Sequence, residues 1–290
     1  YNIEDPDYSL LTVGADVDDE NEIDPTQKAA NTDGRSPRAL LCSTFADELA
    51  IRSAGQAKVF GVSVKDRGSV SMAGHAGKAF WFSKQAGEFV TSTYYYESYP
   101  AWVTEWNASK PLKRYSGAAW KLLHDPESYV FRDMDDQPWE TALPGFGRTF
   151  PHAYGASDNK GFTTYLTLSP AADEITLDFA KTLIANEALG QDEVTDYLSI
   201  SFSSTDYVGH IFGPSSLEAE DNLLRLDRTI EVLLGYVDSQ VGLEHTLIVL
   251  SSDHGGPEAP GALQAYGFNV NYVEPDNWDK APAFQRLKTR

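Results

Sequence analysis

The stretch "YLSISFSSTDYVGHIFGPSSLEAEDNLLRL" (197–226) changes its period midway. Residues 197–203 read as a short strand. From Ser215 to residue 240 the spacing of Leu223, Leu226, Ile230, Leu233 and Val237 predicts a long helix, with Ser215 and Glu218 in a capping-box pattern. A strand running into a helix is half of a βαβ unit, and the rest of the chain repeats the theme. "KVFGVSV" (58–64) and "TLIVLSS" (246–252) read as further strands, and "AFWFSKQAGEFVTSTYYY" (79–96) as two strands about a "KQAG" turn. "DEITLDFAKTLIANEAL" (173–189) is helical, with Ile175, Phe179, Leu183 and Ile184 on one side. "SPRALLCSTFADELA" (36–50) reads as a helix capped by Ser36, with Pro37 at its first position and Leu40, Leu41, Phe45 and Leu49 on one face. Strands alternating with helices predict an α/β fold: a mostly parallel sheet sandwiched by helices.

In such sheets ligands bind beyond the carboxyl ends of the strands. The strand at 58–64 delivers Lys65 and Arg67, the strand at 197–203 Asp206 and His210, and the strand at 246–251 Asp253 and His254. Lys65 and Arg67 can grip an anion together, Arg as a fork and Lys as a point charge. Asp206 and His210 stand four apart, so a helical turn would set them on one face, and a tight turn at Gly209 would also join them. Asp253 and His254 are neighbours and point apart on a strand. Both reach one centre only if the chain leaves strand geometry there, which Gly255 and Gly256 permit. Carboxylate and imidazole together suit zinc or another divalent transition metal. Taken singly, each pair is as well explained by a surface turn; the convergence on three strand ends carries the reading.

Composition narrows the classes. The 290 residues carry 43 acidic and 23 basic side chains, a formal charge of −20, which argues against nucleic acid or an anionic membrane as partner. An apolar share of 41% with 12% aromatics is that of a folded protein. No apolar run approaches a membrane span. The single Cys42 excludes an intrachain disulfide framework and reads as a small helix residue. The acidic patch "ADVDDENEID" (15–24) reads as a solvated loop, and residues 107–160 as an irregular excursion. The chain opens on Tyr1, which suggests an N-terminus internal to a longer protein.

"SISFSSTDYVGHIFGPSS", "LIVLSSDHGG" and "VFGVSVKDRGSVSMAGHAGKAFWF" together resemble the alkaline phosphatase superfamily, in its branch of type I phosphodiesterases and nucleotide pyrophosphatases. The Lys-Asp-Arg segment, "YNIEDPDY" (1–8) and "TSTYYYESYPAWVTEWN" (91–107) resemble the zinc-dependent, phosphate-irrepressible alkaline phosphatases within it. The likeness is strong over 1–256 and weaker over 257–290, which reads as the start of an insertion or cap. It implies that Asp206 and His210 are ligands of one of two zinc ions, Asp253 and His254 of the other, and that Lys65 and Arg67 hold the phosphate oxygens. It implies a periplasmic or secreted enzyme that hydrolyses phosphate monoesters through a covalent phospho-enzyme. The family's nucleophile (Thr or Ser), a phosphate-binding Asn and one further Asp ligand precede the segment matching Tyr1. A last His ligand follows the segment matching Arg290. The chain is therefore expected to be an interior fragment, incomplete at both ends of the fold and inactive alone. His75, His124, His152 and His245 match no motif and read as structural or surface residues.

Two other functions fit the same residues. A phosphodiesterase or nucleotide pyrophosphatase of the superfamily shares the metal motifs, but the Lys65 and Arg67 pair favours a dianionic monoester. A non-catalytic module could keep the metal ligands alone. A serine hydrolase built on Ser204, His210 and Asp253 lacks a G-x-S-x-G elbow.

Overall fold

The computed structural model describes residues 4–9, 33–272 and 280–288. The acidic patch at 15–24 lies outside them. A small antiparallel pair, β1 (Glu4–Ser9) and β2 (Asp33–Arg35), sits beside the main sheet. The main sheet holds β3 (Val59–Ser63), β4 (Lys78–Ser83), β5 (Glu88–Val90) and β8 (Tyr197–Ser201) in the order β5-β4-β3-β8. β3 runs parallel to β4 and to β8, and β5 returns antiparallel through the 84–87 turn. Two of the three strand pairings are parallel and helices flank the sheet, as expected.

The strand pleat sorts side chains between two layers. Phe60, Val62, Phe80, Phe82 and Phe89 point into the larger core, against α3 (Ala101–Ala108) and α5 (Ala171–Asn186). Ala79, Trp81 and Val90 point the other way, against Val70 and Ala73 of α2 (Asp66–Ala73). Phe179 of α5 stacks on Phe89 with ring centroids 4.1 Å apart and meets the edges of Phe80 and Trp106. Ile175, Leu183 and Ile184 are buried beside it, so the helical stripe of 173–189 is the core face. Gly61 is required by close approach. A Cβ there would sit 2.3 Å from the carbonyl oxygen of Ser69, so only glycine lets α2 lie this near β3.

Residues 109–161 hold short 3₁₀ turns and one two-stranded pair, β6 (Ala119–Trp120) with β7 (His152–Ala153). The segment is irregular but packed. Trp120, Tyr129, Phe146 and His152 are all buried. Its anchor is Asp221, fully buried on α7 (Leu217–Gln240), which accepts from Trp120 Nε1 (2.6 Å), Leu123 N (2.7 Å), Arg225 Nε (2.7 Å) and the Tyr129 hydroxyl. The remaining helices are α1 (Phe45–Arg52), α4 (Phe162–Thr167), α6 (Ser204–Phe212), α8 (Pro260–Ala265) and α9 (Pro282–Lys288). None of the described helices is long and apolar enough to cross a membrane.

Five local expectations are corrected. The first helix begins at Phe45, not near Pro37. Thr44 caps it, accepting from Asp47 N while Asp47 accepts from Thr44 N, and this reciprocal box overrides the weaker signal at Ser36. Cys42 consequently lies outside any helix and is exposed, and the stripe of Leu40, Leu41, Phe45 and Leu49 gives way to buried Ala46 and Ala50. The cap of α7 is Ser216, not Ser215; Ser216 Oγ accepts from Ala219 N at 3.0 Å. On α7 Leu223 is exposed, while Leu226, Ile230, Leu233 and Val237 are half-buried; polar Glu218, Asp221 and Asn222 take the interior instead. The run 246–251 forms no strand. Leu247 and Leu250 are 90% and 80% exposed, because a strand exists only where a neighbour pairs with its backbone.

Candidate active site

The site lies beyond the carboxyl ends of β3 and β8. Lys65 is the second of the two residues between β3 and α2 and caps the helix. Its N–H donates to Ser63 Oγ at 2.9 Å, and its side chain, only 11% exposed, reaches across to α6. There the ammonium donates to Asp206 Oδ2 and sits 4.5 Å from the centroid of the Tyr207 ring. Arg67 opens α2 and is half-buried. Its backbone N–H is held by Asp66 Oδ1 at 2.7 Å, and Asp66 Oδ2 in turn accepts from the buried Arg35 Nε at 2.6 Å. The start of α2, which carries Arg67 next to its cap Lys65, is thus fixed by an ion pair.

Asp206 and His210 share one helical turn of α6, so the helical alternative holds and Gly209 makes no turn. His210 Nε2 lies 3.4 Å from Asp206 Oδ1, and His254 Nε2 lies 3.6 Å from the same oxygen. Asp253 Oδ2 is 3.5 Å from His254 Nε2. Lys65, Asp206, His210, Asp253 and His254 therefore meet in one place. The chain bends at Asp253, but Gly255 and Gly256 do not adopt positive φ, and a Cβ on either would touch nothing within 4 Å. Their expected role as conformational hinges is not seen; they leave the approach bare of side chains.

The amino end of α6 is anchored by residues that sequence reading passed over. Asp173, buried on α5, accepts from Ser204 N at 3.2 Å and bonds the Ser204 hydroxyl, which also reaches Asn222 Oδ1 at 2.9 Å. Asn222 Nδ2 donates to Thr205 Oγ1 at 3.1 Å. Burial pushes the Asp173 carboxyl up to about 7, against the pull of the Ser204 hydroxyl and N–H. The signal was present: an Asp in the first turn of α5 facing a Ser-Ser-Thr run after a strand. Only the fold sets them side by side.

The donor chemistry fits a transition metal, since carboxylate and imidazole atoms converge on Asp206. Among the described residues, however, no group of three or more His, Cys, Asp and Glu side chains has the geometry of a complete metal site. Asp206 with His210, and Asp253 with His254, form two carboxylate–imidazole pairs. The Lys65 ammonium rests on Asp206 and supplies positive charge where a cation would.

A mixed sheet between helices, with paired cations and Asp–His pairs at its strand ends, is the arrangement of the alkaline phosphatase superfamily. The chain belongs to the type I phosphodiesterase / nucleotide pyrophosphatase family, whose model matches residues 58–284. It is 37% identical over 260 residues to alkaline phosphatase PhoV of Synechococcus elongatus, covering 89% of this chain and 45% of that protein. It is 35% identical over 257 residues to alkaline phosphatase PafA of Elizabethkingia meningoseptica, covering 88% and 47%. The crystal structure of wild-type PafA superimposes with a TM-score of 0.84 at 32% identity, over 99% of this chain and 53% of that one. A second PafA crystal structure carries substitutions that include a lysine and an arginine two positions apart. The chain spans about half the length of the curated relatives it matches.

Proposed function

We propose that the complete protein hydrolyses phosphate monoesters at a two-zinc centre. The observation that carries this reading is the meeting of Lys65, Asp206, His210, Asp253 and His254 beyond the ends of β3 and β8. Asp206 and His210 would hold one ion and Asp253 and His254 the other, each half-site completed from outside residues 1–290. Zinc, when bound, supplies Lewis acidity toward the phosphoryl oxygens and lowers the pKa of a hydroxyl beside it.

This chain's own residues contribute position and charge, which is most of what phosphoryl transfer asks of a protein. Arg67, in the first turn of α2 beside the Arg35–Asp66 pair, offers a fork to two non-bridging oxygens. Lys65 adds a point charge from an almost fully buried position, where it is screened little. Two cations on one phosphoryl group would favour the dianion of a monoester over the single charge of a diester. The proposed nucleophile is a Thr or Ser outside this chain, and residues 1–290 alone are expected to be inactive. The exposed apolar run 247–250 supports the fragment reading, since its burial needs a neighbouring strand. An extracytoplasmic location, periplasmic or secreted, belongs to the same proposal.

The family's phosphodiesterase members make diester hydrolysis the second reading. Hydrolysis of an aryl monoester and an aryl diester by the full-length protein separates the two. Arg67→Ala should lower kcat/KM for the monoester by roughly 10²-fold or more, as for loss of a transition-state donor, and spare the diester. Equal losses on both substrates would refute the assigned role.

A further inference from the structure

A row of serine hydroxyls runs beneath the candidate active site, across the carboxyl ends of β3 and β8. Ser63 ends β3 and Ser201 ends β8, and the two are register partners in the parallel pair. Ser203 stands at the cap of α6. Ser63 and Ser203 are buried and Ser201 is half-buried. Ser203 Oγ lies 3.3 Å from Ser63 Oγ and 3.1 Å from Ser201 Oγ. The row has a direction. Lys65 N–H donates to Ser63 Oγ at 2.9 Å, and Ser203 Oγ donates to the Ser201 carbonyl at 3.3 Å. An amide N–H can only donate and a carbonyl can only accept, so between them the Ser63 hydroxyl donates to Ser203. Buried hydroxyls in such a chain polarise and strengthen one another.

The first turn of α2 rests on this row. A Cβ on Gly68 would stand 2.8 Å from Ser63 Oγ and 3.5 Å from Ser201 Oγ, so glycine lets the helix settle on the hydroxyls themselves. Two residues here depart from what local rules favour. Alanine would fill the place of Ser63 without the cost of burying a hydroxyl. Lys65 stands at the cap of α2, where an acceptor side chain is favoured and an ammonium offers none. Such departures gather at functional positions. Both are explained together if the serine holds the backbone of the lysine and leaves its side chain to the site.

We infer that Ser63 and Ser203 are positioning residues, whose linked hydroxyls hold the backbone of Lys65 still while its ammonium exchanges Asp206 for a phosphoryl oxygen. The inference rests on the reading of Lys65 as a cation that holds phosphate. In the structure that ammonium donates to Asp206 Oδ2. Asp206 is also the proposed metal ligand, so the ammonium has to change partner when phosphate binds. Its four-carbon stem can make that change alone, provided the Cα does not follow. The serine row ties the turn that carries Lys65 to the first turn of α6, which carries Asp206. The two partners of the exchange are therefore mounted on one frame, and the geometry of transfer is set by a side-chain swing.

The test is a double-mutant cycle in the full-length protein, with Ser63→Ala, Lys65→Ala and the pair together. On an aryl phosphate monoester, Ser63→Ala should lower kcat/KM by about tenfold, short of the roughly 10²-fold that a misplacement of about 1 Å can cost. In the Lys65→Ala background it should change kcat/KM by less than about twofold, because it acts through the lysine. A serine with a merely structural role would cost the same in both backgrounds, and that result overturns the inference. Ser203→Ala breaks the next link of the row without touching Lys65. It should show the same dependence on Lys65, and it carries the cycle where Ser63→Ala fails to fold; activity equal to wild type in Ser203→Ala overturns the linked row. Calorimetric titration with inorganic phosphate runs the same cycle without turnover. A loss of phosphate affinity in Ser63→Ala that vanishes in the Lys65→Ala background supports the inference. Additive losses, or no phosphate binding by the wild type, overturn it. A wild type that turns over an aryl diester faster than the monoester defeats the monoester reading alone, and the phosphate cycle still decides the role of the serines.

Discussion

Replacing Glu218 by Gln should flatten the loss of stability on the alkaline side. Glu218 and His152 are both fully buried, 3.1 Å apart, beneath the irregular 109–161 segment. His152 Nδ1 faces the Phe146 carbonyl at 3.2 Å, and a carbonyl can only accept, so Nδ1 carries the proton. Burial lowers the imidazole to about 4, so it is neutral and Nε2 is an acceptor. Glu218 must then donate, as a protonated acid. Burial first, then Asp135 and Asp221 nearby, push its carboxyl up to about 9. The folded value lies above the unfolded one, so this stabilisation is complete below about pH 4.5 and is lost as pH rises toward 9. The limiting slope is about 1.4 kcal/mol per pH unit, or roughly 2.7 kcal/mol between pH 6 and 8. Glu140, raised to about 8 by burial and by Glu218, adds to the slope over most of that window. His152 works the other way, but only between about pH 4 and 6.5. A glutamine donates the same hydrogen bond without titrating. Scanning fluorimetry of the full-length protein should show Tm of Glu218→Gln falling less than wild type from pH 6 to 8, by on the order of 5 °C. Parallel Tm curves for the two proteins would refute the protonated assignment.

Three further outcomes can be measured on the same protein. Asp221→Ala should cost about 3–5 kcal/mol in chemical denaturation, because it strands the buried donors of Trp120 and Tyr129 and leaves Arg225 without its carboxylate. Gly61→Ala should destabilise by about 1–3 kcal/mol or abolish folding, since the new methyl meets the backbone of Ser69 rather than a side chain that could move. His75 bonds Asp47 at 2.8 Å, chiefly through which its pKa is raised, so His75→Ala should lose stability at pH 6 and little at pH 9; the reverse order would contradict that bond.

The fold and the site were legible to different depths. The stripe of Ile175, Phe179, Leu183 and Ile184 named the core face of α5 because helical period and burial coincide there. "TLIVL" read as a strand and is not one here, since β-propensity reports fitness for a pleated surface and not the presence of a neighbour. The Thr44–Asp47 capping box was readable, but Ser-Pro eight residues earlier drew the start of the helix to itself. Lys65, Asp206 and His210 could be named because strand ends are where an α/β sheet presents chemistry, whereas Asp253 and His254 were named from a strand that does not form here. The groups that orient them could not. Asp173 meets Ser204 across 31 residues and Asp221 meets Trp120 across 101, and no local pattern encodes such a pairing.

The two halves of the site are held unequally. On one half, Arg35 fixes Asp66, Asp66 fixes the N–H of Arg67, and Asp173 with Asn222 fixes the start of α6. Lys65 then joins these two elements through Asp206. Every one of these links uses a buried or half-buried group, where a hydrogen bond is strong and solvent competes little. On the other half, residues 251–257 are exposed, and among the described residues the hydrogen bonds of Ser252, Asp253 and His254 stay within two positions along the chain. Among the described residues, the approach to the fixed half is that of His254 to Asp206, at 3.6 Å. Geometry at a phosphoryl-transfer site must be held to fractions of an ångström, so an element with few buried contacts has to be ordered by what binds there. The free energy of that ordering is drawn from binding. If the proposed two-zinc centre holds, the site of Asp253 and His254 should therefore bind zinc more weakly than that of Asp206 and His210, and zinc titration of the full-length protein followed by calorimetry should resolve a tighter and a weaker step; two equal steps would contradict the unequal ordering.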